Sequence, residues 1–110
     1  MEIHESKVDG ATVARMSGRL DTATAPAAQT RLLEMLASSP ALIADMTDVA
    51  YVSSAGLRVL LTAAKQAKAR GSRFALIGPQ PSVREVLAMS GFDKIIQVHP
   101  DLDTAIRALG

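Results

Sequence analysis

Cysteine and tryptophan are both missing from the 110 residues of this chain. Without thiols there is neither a disulfide nor a thiolate metal site, so the fold must hold by packing alone. Aromatic residues are nearly absent too, being only Tyr51, Phe74 and Phe92. The core must therefore be built from Leu, Ile, Val, Ala and Met, and an aromatic stacking platform for single-stranded nucleic acid is not expected on that count. Charge of one sign is also lacking. The formal net charge is +1, so no field of the whole molecule draws in polyanions, and nucleic acid is not an expected partner. The apolar runs fall far short of the ~20 residues of a membrane span. The start, Met1-Glu2-Ile3-His4-Glu5, has neither the basic segment nor the apolar stretch of a signal peptide, so a cytoplasmic location away from the membrane is expected.

What is present suits a soluble globule: 48% hydrophobic and 21% charged residues, far from the profile of a disordered segment. The length is that of one domain, residues 1–110, which buries roughly two-thirds of its unfolded surface.

Residues 2–8 and 11–17 read as two strands around Asp9-Gly10, a dipeptide that supplies the positive φ angles of a two-residue hairpin turn. Gly18 is expected to break the second strand. A helix follows, capped by Thr22 or Thr24, with Pro26 in its first turn and Ala25, Ala28, Leu32, Leu33 and Leu36 on one face. Ser38-Ser39-Pro40 ends it. Ala41 to Met46 is a short apolar run typical of a buried parallel strand, followed by a loop and a brief extended piece, Val49 to Val52. A second helix is expected from about Ala55 to Arg70, with Leu57, Leu60, Leu61, Ala64 and Ala67 inward and Gly71 closing it. Lys65, Lys68, Arg70 and Arg73 form a modest basic cluster, read first as a solvated helix end, with nucleic-acid binding as the alternative. Arg73 to Gly78 is another strand. Ser82 and Glu85 have the spacing of a capping box opening a third helix, stopped at Gly91. Ile95 to Val98 is a last strand, and Asp101 caps a final helix through Leu102, Ala105, Ile106 and Leu109. The order β-β-α-β-α-β-α-β-α predicts an α/β fold with a mixed sheet, helices packed against it and right-handed crossovers.

Folding alone accounts for most of the chain. The exception is Tyr51-Val52-Ser53-Ser54-Ala55-Gly56-Leu57-Arg58, where two hydroxyls sit between a buried strand and a helix N-terminus. One serine serves as an N-cap. A second serine and a glycine, which costs about 1 kcal/mol inside a helix, are not needed for that. A helix N-terminus suits an anion, Arg58 lies one turn in, and a glycine lets another molecule approach the backbone closely. Phosphorylation here leaves the fold intact while adding ~1.5 to 2 negative charges to the surrounding surface.

Ser54-Ala55-Gly56 is also half of a nucleophile elbow, but the full Gly-x-Ser-x-Gly pattern requires glycine where Val52 stands, and no base is near. His4 and His99 read as surface histidines, so no catalytic residue is expected. No phosphate-binding or dinucleotide glycine pattern and no metal-ligand spacing occur. Asp21, before the first helix, and Asp45, at the end of a strand, each have a structural reading: one favours a helix dipole, the other satisfies loop N–H groups. Met35, Met46 and Met89 read as core fillers.

Ser53-Ser54-Ala55-Gly56-Leu57 resembles the core motif of the bacterial STAS-domain anti-sigma factor antagonists, in which an Asp or Ser, a phosphorylatable hydroxyl region, Gly and Leu open a helix after a strand. Gly18-Arg19-Leu20-Asp21 resembles the family's Gly-x-Leu-Asp, and Ile43-Ala44-Asp45-Met46 its central strand. The likeness spans nearly the whole chain. It implies a STAS-like fold and a partner-switching protein. The unphosphorylated form would bind an anti-sigma factor that is also a serine kinase of the histidine-kinase-like ATPase type, releasing the sigma factor. Phosphorylation would end the interaction, and a PP2C-type serine phosphatase would restore it. The domain itself would need no cofactor, since ATP belongs to the kinase and the metal to the phosphatase. Many members read Asp-Ser-Ser-Gly or Asp-Ser-Thr-Gly. Here Ser53 stands at the Asp position and Ala55 directly before Gly56, so the resemblance makes Ser54 the first candidate phosphosite and Ser53 the second. Asp21, Ser53, Ser54, Ala55, Gly56, Leu57 and Arg58 are the implied partner-binding residues. The alternative implied role is a STAS subunit of a permanent assembly, a stress-sensing complex or lipid-transport machine, without a phosphate switch.

Overall fold

In the computed structural model, which describes residues 1–109, five strands form one sheet in the order β1-β2-β3-β4-β5. β1 (Glu2–Val8) and β2 (Ala11–Leu20) make the antiparallel hairpin, and β3 (Ala41–Val52), β4 (Arg73–Ile77) and β5 (Gln97–His99) add in parallel. The helices are α1 (Ala25–Ala37), α2 (Ser54–Arg70), α3 (Pro81–Met89) and α4 (Leu102–Leu109). Element order and mixed sheet are those expected. At the hairpin tip Asp9 and Gly10 both take positive φ, 49° and 83°, the turn geometry that dipeptide favours.

Because each new strand is laid beside the last in one direction, crossovers of a single hand all fall on one face of the sheet. Accordingly α1, α2 and α3 share a core with Ala14, Met16, Leu42, Ala44, Phe74 and Leu76, while α4 packs Ala105 and Leu109 on the opposite face against Val13, Ile43, Ala75 and Ile77. The period-2 alternation of β2, β3 and β4 supplies both faces. Met16, Met35 and Met46 are buried core residues, whereas Met89 is 81% exposed, so its expected role as a core filler is wrong.

Several local expectations are corrected. Gly18 does not break β2; with φ of 104° it lies where the strand adjusts to β3 and continues to Leu20. The expected loop after Met46 is absent because β3 continues through two bulges. Arg15 pairs with Asp45 but Ser17 with Asp48, and Gly18 with Val49 but Arg19 with Tyr51. Each time β3 carries one extra residue, the signature of a β-bulge. The capping box does not form: α3 starts at Pro81, whose fixed φ suits a first helical position, leaving Ser82 inside the first turn and Gln80 before it with no side-chain cap. The last strand starts at Gln97, because Phe92–Lys94 form a 3-10 turn and the Ile96 N–H bonds back to the Phe92 carbonyl. Asp101 does cap α4, accepting from the Thr104 N–H at 2.8 Å. α2 is rotated from its expected face: Val59, Leu60, Ala63 and Ala67 are buried, and Leu57, Leu61 and Ala64 only half-buried.

Candidate functional site

The two serines sit at the C-terminal ends of β2 and β3, the end of a parallel sheet where partners are usually met. β2 and β3 stay paired to their last residues, Leu20 opposite Val52, and one more bond follows, from the Ser53 N–H to the Leu20 carbonyl at 2.9 Å. The chain then turns directly into α2.

Ser53 is the N-cap. Its backbone is extended (φ −87°, ψ 177°) and its Oγ accepts from the Gly56 N–H at 3.2 Å, satisfying one of the amides that a helix start leaves without a partner. Ser54, the first helical residue, is exposed, and its hydroxyl makes no hydrogen bond among the described residues. Arg58 lies four residues on, exposed and on the same helix face as Ser54, with no carboxylate partner among the described residues.

Gly56 is buried. A Cβ there would collide with the Leu20 carbonyl oxygen and come within 2.9 Å of Leu20 Cγ and 3.1 Å of Val52 Cγ1. The close approach that this glycine permits is thus made by the chain's own β2 end, not by a second molecule. Leu57 is half-buried against the main core.

Asp21 is half-buried at the adjacent turn, and its carboxylate is engaged locally. Oδ1 accepts from the N–H groups of Ala23 and Thr24, both at 3.1 Å, and Oδ2 lies 3.6 Å from Arg19 Nε. The Thr24 amide bond, joined by the Thr24 hydroxyl, the Ala23 amide and Arg19, holds this carboxyl below the usual aspartate range against a desolvation effect of opposite sign. Thr24 precedes α1 but does not cap it through its side chain; the hydroxyl donates to the Arg19 carbonyl at 2.8 Å and accepts from the Asp21 N–H at 2.9 Å. Arg19 itself lies over the ring of Tyr51, 4.3 Å from its centroid, a cation–π contact. Asp45 does not end a strand as expected but lies inside β3, where it accepts from the Thr47 N–H at 3.0 Å and the Thr47 hydroxyl at 2.6 Å within the first bulge.

Ala55 and Arg58 line a shallow groove of about 310 Å³ between the N-terminal ends of α1 and α2, with Pro26 and Gln29 on its other wall. Pro26 and Gln29 carry no sequence signal of their own for a site; helix packing brings them there. Neither histidine approaches the turn: His4 is on edge strand β1, and His99 Nε2 is 3.0 Å from Gln97 Oε1 in β5. No group of three or more metal-ligating side chains occurs among the described residues.

A family model described as the STAS domain matches residues 3–105. The chain belongs to the STAS domain family. Among relatives of this STAS domain, BtrV of Bordetella bronchiseptica, named as an anti-sigma factor antagonist, is 32% identical over 109 residues, covering 98% of this chain and 94% of BtrV. The crystal structure of an anti-sigma factor antagonist from Mycobacterium paratuberculosis superposes with a TM-score of 0.89 at 28% identity, over 98% of this chain and 92% of that one. The anti-sigma factor antagonist SpoIIAA of Bacillus shares the fold, with a TM-score of 0.78 at 20% identity for its unphosphorylated form, over 96% of this chain and 93% of that one. No helix among the described residues of the STAS domain is long and apolar enough to cross a membrane.

Proposed function

We propose that this STAS domain is an anti-sigma factor antagonist whose binding is switched off by phosphorylation of Ser54. The observation that carries the reading is the division of labour between the two serines: Ser53 is occupied as the cap, while Ser54 is exposed with an unengaged hydroxyl. Family membership and the BtrV relationship support the antagonist role.

In the proposed cycle the unphosphorylated turn docks an anti-sigma factor of the histidine-kinase-like ATPase type through Ser53, Ser54, Ala55 and Arg58, with Asp21 and Leu57 shaping the surface beside them. The kinase esterifies the Ser54 hydroxyl with the γ-phosphate of ATP, and a PP2C-type phosphatase hydrolyses the ester. A phosphate at the first helical position is compatible with the helix dipole and lies one turn from the Arg58 guanidinium, so the fold survives. The interface does not: desolvating an unmatched dianion costs several kcal/mol, and about 1.4 kcal/mol already separates tenfold differences in affinity. The domain contributes no catalytic group.

The test is to incubate the protein with ATP and each anti-sigma factor kinase of the source genome, map the modified residue by mass spectrometry, and measure binding of Ser54→Ala and Ser54→Asp. Ser54→Ala is expected to bind and resist phosphorylation, and Ser54→Asp to lose binding. Wild-type binding by both variants would remove phosphate control at Ser54 and leave a constitutive STAS contact in a permanent assembly.

A further inference from the structure

The basic residues near the end of α2 do not stay together as the sequence suggests. Arg70 turns away, its Nη2 donating at 3.3 Å to the carbonyl of Ala37, the last residue of α1. Lys65, Lys68 and Arg73 instead meet Lys94, from the 3-10 turn before β5, around a groove of about 640 Å³. All four are exposed, and none pairs with a carboxylate of a described residue. No acidic side chain of a described residue lines the groove. In a chain of net charge +1, this is a local concentration of positive charge. Ile95, 62% exposed, lies in the same wall, and β5 pairs only with Ala75, Leu76 and Ile77, leaving the start of β4 without a strand partner on that side.

The geometry points to this groove as a second docking site, which takes an acidic segment of a partner protein carrying an apolar side chain for Ile95. Charge complementarity requires an anionic occupant, and the apolar wall requires one that is not charged throughout. A nucleic acid fits poorly. Three of the four cations are lysines, point charges without the bidentate fork that arginine offers a phosphate. The groove's one aromatic ring, Phe74, is 8% exposed and has no open face for a base. The site lies toward the far end of α2 from Ser54. With ~1.5 Å rise per residue, the eleven positions from Ser54 to Lys65 are roughly 16 Å, so a segment held here leaves the serine turn free. Occupancy of this groove is independent of the Ser54 switch.

The test uses the full chain and an eight-residue fluorescent peptide alternating glutamate and leucine, followed by anisotropy at low and high ionic strength, beside an eight-nucleotide oligothymidine. The expected result is saturable peptide binding, weakened by salt. It falls about tenfold or more in Lys65→Glu/Lys68→Glu and in Lys68→Glu/Lys94→Glu, and does not change in Arg70→Glu or in Ser54→Asp. Amide NMR signals of residues 64–74 and 94–97 should shift on titration. No peptide binding at low salt, an equal loss in Arg70→Glu, or tighter binding of the oligonucleotide than of the peptide would overturn the assignment. Because Ser54→Asp serves as an unaffected control here, failure of the phosphate switch and failure of this site give different results.

Discussion

The Leu20 carbonyl accepts the Ser53 N–H at 2.9 Å and lies in the place where a Cβ on Gly56 would fall. One backbone oxygen thus ties the end of β2 to the turn and excludes a side chain from position 56 in the first turn of α2. Replacing a helical glycine with alanine ordinarily gains about 1 kcal/mol. Here the clash is with backbone, and Gly56→Ala is expected to destabilise by about 1–3 kcal/mol as an overpacked site. Urea unfolding read by circular dichroism checks this; a raised midpoint would refute it.

The two hydroxyls should separate in stability measurements. Ser53→Ala removes the cap on Gly56 N–H and is expected to cost about 0.5–2 kcal/mol. Ser54→Ala touches no bonded group and should stay within about 0.5 kcal/mol of wild type. Thermal melts of both variants at one pH suffice, and equal losses would contradict the assignment of Ser53 as the cap.

On α2, Leu60 is fully buried and Leu61 half-buried outside both core clusters. Leu60→Ala is expected to cost about 2–5 kcal/mol, and Leu61→Ala less than about 1 kcal/mol. Chemical denaturation of the pair distinguishes the observed helix face from the one drawn on sequence periodicity, in which both leucines point inward.

Acid should loosen both aspartate-closed turns. Amide bonds, from Thr24 to Asp21 and from Thr104 to Asp101, lower both carboxyl pKa values below the ordinary 3.8. A carboxyl depressed in the folded state binds protons more readily when unfolded, so its contribution is complete above 3.8 and disappears as pH falls through the lower folded value. Stability should therefore drop below about pH 4. The slope should be shallower in the double variant Asp21→Asn/Asp101→Asn, whose side-chain oxygens still accept but do not titrate. Denaturant midpoints between pH 5 and pH 2.5 test it, and identical slopes would count against these two groups.

Legibility in the sequence followed how local the determining physics is. The Asp9-Gly10 turn, the Gly71 helix stop with φ of 71°, the Asp101 cap and the element order were all readable, because each depends on a few adjacent residues. The bulges of β3 were not readable: they are mismatches of length between β3 and β2, visible only once the strands are paired. The α2 face was misplaced because Leu57, Val59, Leu60, Leu61, Ala63 and Ala64 offer two overlapping apolar stripes, and packing against the sheet and α1 chooses between them. Ser82 and Glu85 have the right spacing for a cap, yet Pro81 sets the helix start two residues before the Val83 that a Ser82 cap implies. At the candidate site, which serine caps is decided by where α2 begins, at Ser54 and not at Ala55, a shift of one position. The meeting of Lys94 with Lys65 and Lys68 depends on contacts 26 or more residues apart and had no local signal.

The sheet's spatial order is the same as its order along the chain. Each strand emerging during synthesis therefore finds its neighbour already made, and no later segment has to be threaded between two earlier ones. β3, at the centre, can be sealed on its β2 side as soon as α1 has folded back, long before the C-terminal helix exists. A polypeptide assembled this way adds one strand–helix unit at a time to a growing edge, which keeps the uncovered apolar edge short at every stage of translation.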